Sequence, residues 1–217
     1  MKNKRNYQQE LEKIIEQCKL NNARPKLLLH VCCAPCSSYC ITYLAEFFDI
    51  IAYFYNPNIT SISEYEKRRD EFMRFVEKSL PDGFGINIEA IYEPYDSKPF
   101  LEMAKGLEDV PEGGERCFKC YRLRMEEAAK EAKELGCDYF TTSLSISPLK
   151  NAVKINEIGE ELAGIYGVSH LPSDFKKKDG YKKSIELSHE YNLYRQDYCG
   201  CVYSQMERKQ GNAVNKM

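Results

Sequence analysis

The chain of 217 residues contains no window approaching the roughly 20 apolar residues that a membrane-spanning helix needs, which argues against a helical membrane span. Its start, MKNKRNYQQELEKIIEQ, is basic but has neither an apolar core nor a small-residue cleavage site, so no secretory leader is expected there. An excess of charge of either sign is also missing: 31 Lys and Arg stand against 33 Asp and Glu, a formal net charge of −2. That balance argues against wholesale neutralisation of phosphates but leaves room for a local basic patch. There is no fixed-period repeat and no low-complexity block, which argues against a repeat architecture. These absences predict a cytoplasmic chain built around one α/β domain, long enough to bury a core without disulfide staples.

What the chain does have is cysteine, ten residues of it. In a cytoplasmic protein these read as metal ligands or redox groups rather than structural disulfides. Seven of them fall in three clusters: Cys32, Cys33 and Cys36 in VCCAPCSSYC, Cys117 and Cys120 in CFKC, and Cys199 and Cys201 in YCGC. Stretches of about 80 residues separate the clusters, so only the fold can assemble them. Cys117 and Cys120, three apart at a helix start, share one face. A helix N-terminus favours the thiolate, the form that ligates metals. In CGC a single glycine separates two thiols, which suits one metal, adjacent metals, or a strained and reducible disulfide. Seven thiols exceed the four needed for one tetrahedral zinc or one cubane. Two metal centres are therefore expected, or one centre beside a redox thiol pair. The excess of thiolates and the lack of a short zinc-ribbon spacing favour iron–sulfur over zinc. Cys18, Cys40 and Cys137 read as core packing.

Residues 1–25 hold an amphipathic helix, with Tyr7, Leu11, Ile14, Ile15 and Cys18 at helical spacing. Strands are expected over 26–33, 49–56, 86–95, 137–145 and 168–171, alternating with helices over 35–48, within 57–80, over 117–136 and over 148–167. The segment 205–217 reads as a polar tail after a single α/β domain spanning 26–204. Such alternation implies a mainly parallel sheet, with its site beyond the carboxyl ends of the strands at the topological switch point. The CCAPC segment directly follows the first strand. His30, inside that strand, reads first as a hydrogen-bonded core histidine.

At these residues the sequence resembles epoxyqueuosine reductases of the QueH type. The matching stretches are LHVCCAPCSSY, YFYNPNI, SEYEKRRDEF, EGGERCFKCYRLR, DYFTTSLSISPLKN, INEIG, SDFKKKDGYKKS and LYRQDYCGCVYS, which cover nearly everything from 27 to 204. Leu149 departs from the pattern, standing where a polar or basic residue is expected. The resemblance implies an enzyme of tRNA modification that reduces the epoxide of epoxyqueuosine to the alkene of queuosine with loss of water. It implies a Rossmann-like, mainly parallel sheet similar to the adenine-nucleotide α-hydrolase-like folds. CCAPCSS stands where ATP-pyrophosphatases carry an SGGxDS phosphate loop, so ATP use is not expected.

Side chains alone cannot supply the two electrons, so a cofactor and an external electron donor are implied. The expected ligands of a 4Fe–4S cluster are Cys32, Cys33, Cys117 and Cys120. Cys199 and Cys201, with Cys36, are then expected to hold a second, mononuclear iron or to form a redox-active disulfide. Asp174, Asp197 and Tyr198 are candidate proton donors. Lys176, Lys177 and Lys178, with Arg122 and Arg124, are candidates for gripping tRNA phosphates, against the plainer reading of solvated charge. Tyr55, Asn56, Thr142 and Ser143 are candidates for lining the substrate pocket. The rival readings are a zinc-containing RNA-binding protein and a thiol–disulfide redox protein.

Overall fold

The computed structural model describes residues 5–79 and 88–214. In chain order the elements are α1 (Tyr7–Leu20), β1 (Lys26–His30), α2 (Ala34–Leu44), β2 (Asp49–Phe54), α3 (Ile62–Arg74), β3 (Ile88–Tyr92), α4 (Lys98–Ala104), α5 (Glu115–Glu134), β4 (Tyr139–Thr142), α6 (Ala152–Tyr166), β5 (Ser169–His170), α7 (Gly180–Glu190) and α8 (Val202–Val214). The strands pair in the order β3-β2-β1-β4-β5, every pair parallel. The expected α/β class and parallel sheet are therefore observed.

The central strand explains the layering. KLLLH is apolar on both faces, as a strand covered on both sides requires. Leu27 and Leu29 point to one side, among Leu11 and Ile15 of α1 and Ile41 and Leu44 of α2. Leu28, offset by the period of two, points to the other, among Met125 and Ala128 of α5 and Ile155 and Leu162 of α6. Each fully buried leucine contributes about 1.5–3 kcal/mol relative to exposure. Helices thus cover both faces of the sheet and leave its carboxyl edge free. No helix among the described residues is long and apolar enough to cross a membrane.

Sequence and structure part company in instructive places. The strand expected over 26–33 ends at His30. Val31 still donates to the Tyr53 carbonyl at 2.8 Å, and the chain then leaves the sheet. The strand expected over 137–145 likewise ends at Thr142 and gives way to a 3₁₀ turn, Ser143–Ile146. Residues 1–4 of the first helix, and 80–87 at the end of the expected 57–80 helix and the start of the 86–95 strand, lie outside the described residues. Helix α7 was not anticipated because its buried face is Gly180, Ser184 and Ser188, which carries no apolar period. A Cβ on Gly180 would stand 1.9 Å from the Phe175 carbonyl oxygen, so only glycine allows this approach. The expected polar tail from 205 is helical as far as Val214.

Candidate metal centre

Strand order reverses between β1 and β4, and that crevice is where a doubly wound sheet keeps its site. Past His30 the chain climbs through Val31 and Cys32 to Cys33, which enters α2 in an extended conformation (φ −176°, ψ 161°), with Pro35 in the first turn. The turn at the strand end and the helix start bring three thiols to one point. The sulfurs of Cys32, Cys33 and Cys36 all lie within 4.8 Å of one another, and those of Cys32 and Cys33 are 3.8 Å apart. Gln196 donates to the Cys33 sulfur at 2.8 Å. Ser143 accepts from the Cys32 amide at 3.3 Å and donates to its sulfur at 3.6 Å. Hydrogen bonds from Cys33 and Cys36 hold the Cys32 thiol well below the usual range. Burial pushes Cys33 up to about 12, and the hydrogen bonds that stabilise charge on Cys32 push Cys36 up as well. The three close thiols titrate as one coupled group, in which the neighbours favour the thiolate on Cys32.

A second group forms alongside. Cys117 and Cys120 lie in the first turns of α5, and Cys199 and Cys201 in the loop before α8. The four line a cavity of about 20 Å³ together with Asn58, Phe100 and Tyr121. Gly113 donates to the Cys117 sulfur at 3.2 Å and Ser204 to the Cys201 sulfur at 3.3 Å. Burial raises Cys117, and raises Cys120 and Cys201 to about 12 each. All ten cysteines are free thiols.

Buried arginines hold this second group in place. Arg68, 2% exposed, donates to the carbonyls of Cys199 at 3.1 Å and Tyr198 at 3.3 Å and pairs with Glu64 at 2.6 Å. Gly200 has φ +113°, and a Cβ there would lie 2.9 Å from Ile59 Cγ1. Arg116 donates to the carbonyls of Leu107, Glu108 and Val110 and reaches Glu207 of α8, tying the start of α5 to both neighbours.

Glu112, Lys150 and Cys199 line both the small cavity and a cleft of about 260 Å³, which also presents Cys32, Cys36 and Arg124. Both thiol groups therefore reach one cleft. Arg124 is 1% exposed and donates to Asn56 Oδ1 at 2.5 Å, while its Nε has no partner among the described residues. No carboxylate there pairs with it, and the thiols of Cys120, Cys32 and Cys199 are its main opposing charges. Burial works against the Lys150 ammonium, but Cys199, Cys32 and Cys36 outweigh it and hold its pKa above the lysine range. A buried guanidinium needs an anion. A sulfur-only donor set carrying thiolates is the anion on offer, and it fits a soft, iron- or zinc-type centre.

Below the three-thiol group, His30 Nε2 donates to the Tyr55 carbonyl at 3.0 Å, which fixes the tautomer, and the Thr142 hydroxyl donates to Nδ1 at 2.8 Å. Burial, aided by Arg124, pushes this imidazole down to about 3.

The profile of a family described as "Epoxyqueuosine reductase QueH" matches residues 27–207. Proteins of that name are similar along nearly the whole chain. That of Staphylococcus epidermidis is 47% identical over 211 residues, 96% of this chain and 88% of its own length. That of Streptococcus pyogenes serotype M1 is 41% identical over 199 residues, 92% and 78% of the two chains. That of Thermotoga maritima is 38% identical over 190 residues, 86% and 94%. The chain belongs to the epoxyqueuosine reductase QueH family.

In this QueH-family chain six of the seven candidate cysteines line the cleft or the cavity beside it, with Cys33 behind them against Cys32 and Cys36, and the grouping differs from the expected set. Cys32 and Cys33 associate with Cys36, and Cys117 and Cys120 with Cys199 and Cys201, so Cys32, Cys33, Cys117 and Cys120 straddle two groups. Asp197 and Tyr198 line the cleft. Asp174 does not: its carboxylate pairs with Lys176 at 2.5 Å beside the start of α6. Lys178 pairs with Glu12, and Arg122 forks onto Glu161 at 2.7 and 2.8 Å, while Lys177 stands exposed. Tyr55 stacks on Tyr53, with centroids 6.1 Å apart, and is absent from the cleft lining. Asn56 spends its amide on Val31 and Arg124. Thr142 and Ser143 are buried, turned to His30 and Cys32.

Arg124, weighed from sequence as a phosphate or solvent group, is a core cation. The signal was present: it lies four residues after Cys120, on the same helical stripe. Lys150, Glu112, Gln196 and Arg68 carried no local signal, because what brings them together is the crossing of separate loops.

Proposed function

We propose that the chain reduces the epoxide of epoxyqueuosine in tRNA to the alkene of queuosine, acting in the cytoplasm with electrons from an external donor and an iron–sulfur centre of the 4Fe–4S type. The observation that carries this reading is the convergence of two thiol groups on one cleft at the switch point, inside the segment matched by the family. The parallel order β3-β2-β1-β4-β5, with the start of α2 at the place of a phosphate loop, supports kinship with the adenine-nucleotide α-hydrolase-like folds.

The grouping supports one division of labour. Four thiols, Cys117, Cys120, Cys199 and Cys201, match the four soft ligands a 4Fe–4S cluster takes. Three thiols, Cys32, Cys33 and Cys36, would hold a mononuclear iron, which would supply Lewis acidity there. Such centres supply electrons singly and Lewis acidity toward an oxygen atom.

The reaction breaks both C–O bonds of the epoxide, forms a C=C bond, and consumes two electrons and two protons as the oxygen leaves as water. Asp197 and Tyr198 line the cleft wall and are the candidate donors of those protons. Burial raises the Tyr198 phenol, which keeps it protonated at neutral pH. Arg124 and Lys150 hold the thiolates' charge inside, and Gln196 and Ser143 orient Cys33 and Cys32.

The test is to incubate anaerobically prepared protein and a low-potential reductant with tRNA carrying epoxyqueuosine, and to weigh the released nucleosides. Loss of one oxygen is the expected result. An intact iron centre with no such loss overturns the reading, as does stoichiometric zinc without iron.

A further inference from the structure

We propose that the cleft takes a single nucleotide turned out of the RNA, and that Arg195 and Arg208 on its rim hold backbone phosphates beside that nucleotide. This rests on the function proposed above and adds where the RNA backbone lies. A cleft of about 260 Å³ falls just below the range of ordinary small-ligand sites, about 300–1,000 Å³, so it has room for one base-sized group and none for a duplex. The thiols line its wall, so a nucleotide must leave its stack to reach them.

The rim is built for anions. Arg195 is exposed on the α7 side and is oriented by neutral groups, the Ser184 carbonyl at 3.4 Å and the Ser188 hydroxyl at 3.0 Å. Arg208 is exposed on the α8 side, beside Glu112 and Leu149. The carboxylates near Arg208 are engaged elsewhere, Glu207 by the Glu112 amide and Arg116, and Glu112 by Ser204. Neither arginine forms an ion pair among the described residues, whereas Lys176, Lys178 and Arg122 are each committed to a carboxylate. The deeper cations, Arg124 and Lys150, lie beside the thiols in the cleft rather than out with the two exposed arginines. Tyr181, 38% exposed on the same rim as Arg195, offers a face for a neighbouring base.

The experiment measures binding of epoxyqueuosine-containing tRNA across a salt series for the unaltered protein and for Arg195→Ala, Arg208→Ala, Arg195→Lys and Arg208→Lys. Each alanine variant is expected to weaken binding several-fold and to flatten the slope of log K against log salt by about 0.7, the value for one single-strand phosphate contact. The lysine variants keep the slope, which separates lost charge from lost folding. Arg122→Ala, whose charge Glu161 already holds, leaves the slope unchanged. Alanine variants with the original affinity and slope overturn this inference while the reductase reading stands. An unaltered protein that does not bind tRNA overturns both.

Discussion

The two cysteine groups lie side by side and are built in opposite ways. Cys32, Cys33 and Cys36 come from one turn at a strand end, and their sulfurs meet within 4.8 Å through local backbone geometry. Cys117, Cys120, Cys199 and Cys201 come from two distant segments and surround a cavity kept in shape by Arg68, Arg116 and Asn58. In the first group one thiol is stabilised as an anion by its neighbours, while in the second burial raises Cys117, Cys120 and Cys201. The difference teaches that a short motif can preassemble a reactive site, whereas a distributed one depends on the scaffold that carries it.

The largest effect should come from removing one sulfur of each group. Cys32→Ala and Cys199→Ala are each expected to lower turnover by more than about 100-fold, beyond the 10–100-fold typical of partners outside the ligand shell. Iron analysis should show the larger loss in Cys199→Ala. Equal losses in both would mean a single centre spanning the two groups and would erase the distinction. Arg68→Met removes a buried clamp whose hydrogen bonds hold the backbone of the second group, at Tyr198 and Cys199. It should cost on the order of 3 kcal/mol in denaturant unfolding, and an unchanged midpoint would mean that Cys199 and Gly200 hold their places unaided.

The first group alone stands on a buried imidazole. Between about pH 6.5 and 3 the unfolded chain binds a proton that folded His30 refuses, so stability falls as the pH drops, by about 1.4 kcal/mol per unit. His30→Asn should flatten the acid limb by about that amount, and a limb of unchanged slope would show that His30 titrates normally. Gly200→Ala, placing a Cβ 2.9 Å from Ile59, should cost about 1–2 kcal/mol. A neutral result would mean that the loop relaxes freely. The smallest effect is kinetic. In metal-free protein at neutral pH, Cys32 should be alkylated before Cys120 and Cys201, as peptide mapping would show, and the reverse order would invert the electrostatic contrast.

Much of this was legible in the sequence. KLLLH and DIIAYF announced buried parallel strands because both faces of each must be apolar, and CFKC announced two thiols on one helix face because its spacing matches a turn. Pro35 and the cysteines after β1 pointed to the switch point. Less visible was α7, which packs through glycine and serines and leaves no apolar period.

The sequence by itself determined the sheet, the placing of CCAPC at the end of β1, and the thiol chemistry, because strand and helix periods and ligand softness are properties of short stretches. Tertiary structure alone decided which thiols stand together, that Arg124 is buried against them, and that Asp174 turns away to Lys176 while Asp197 and Tyr198 face the cleft. The reason is physical: these are contacts between segments far apart in the chain. Their partners are chosen by packing and by the need to balance buried charge, and local spacing encodes neither.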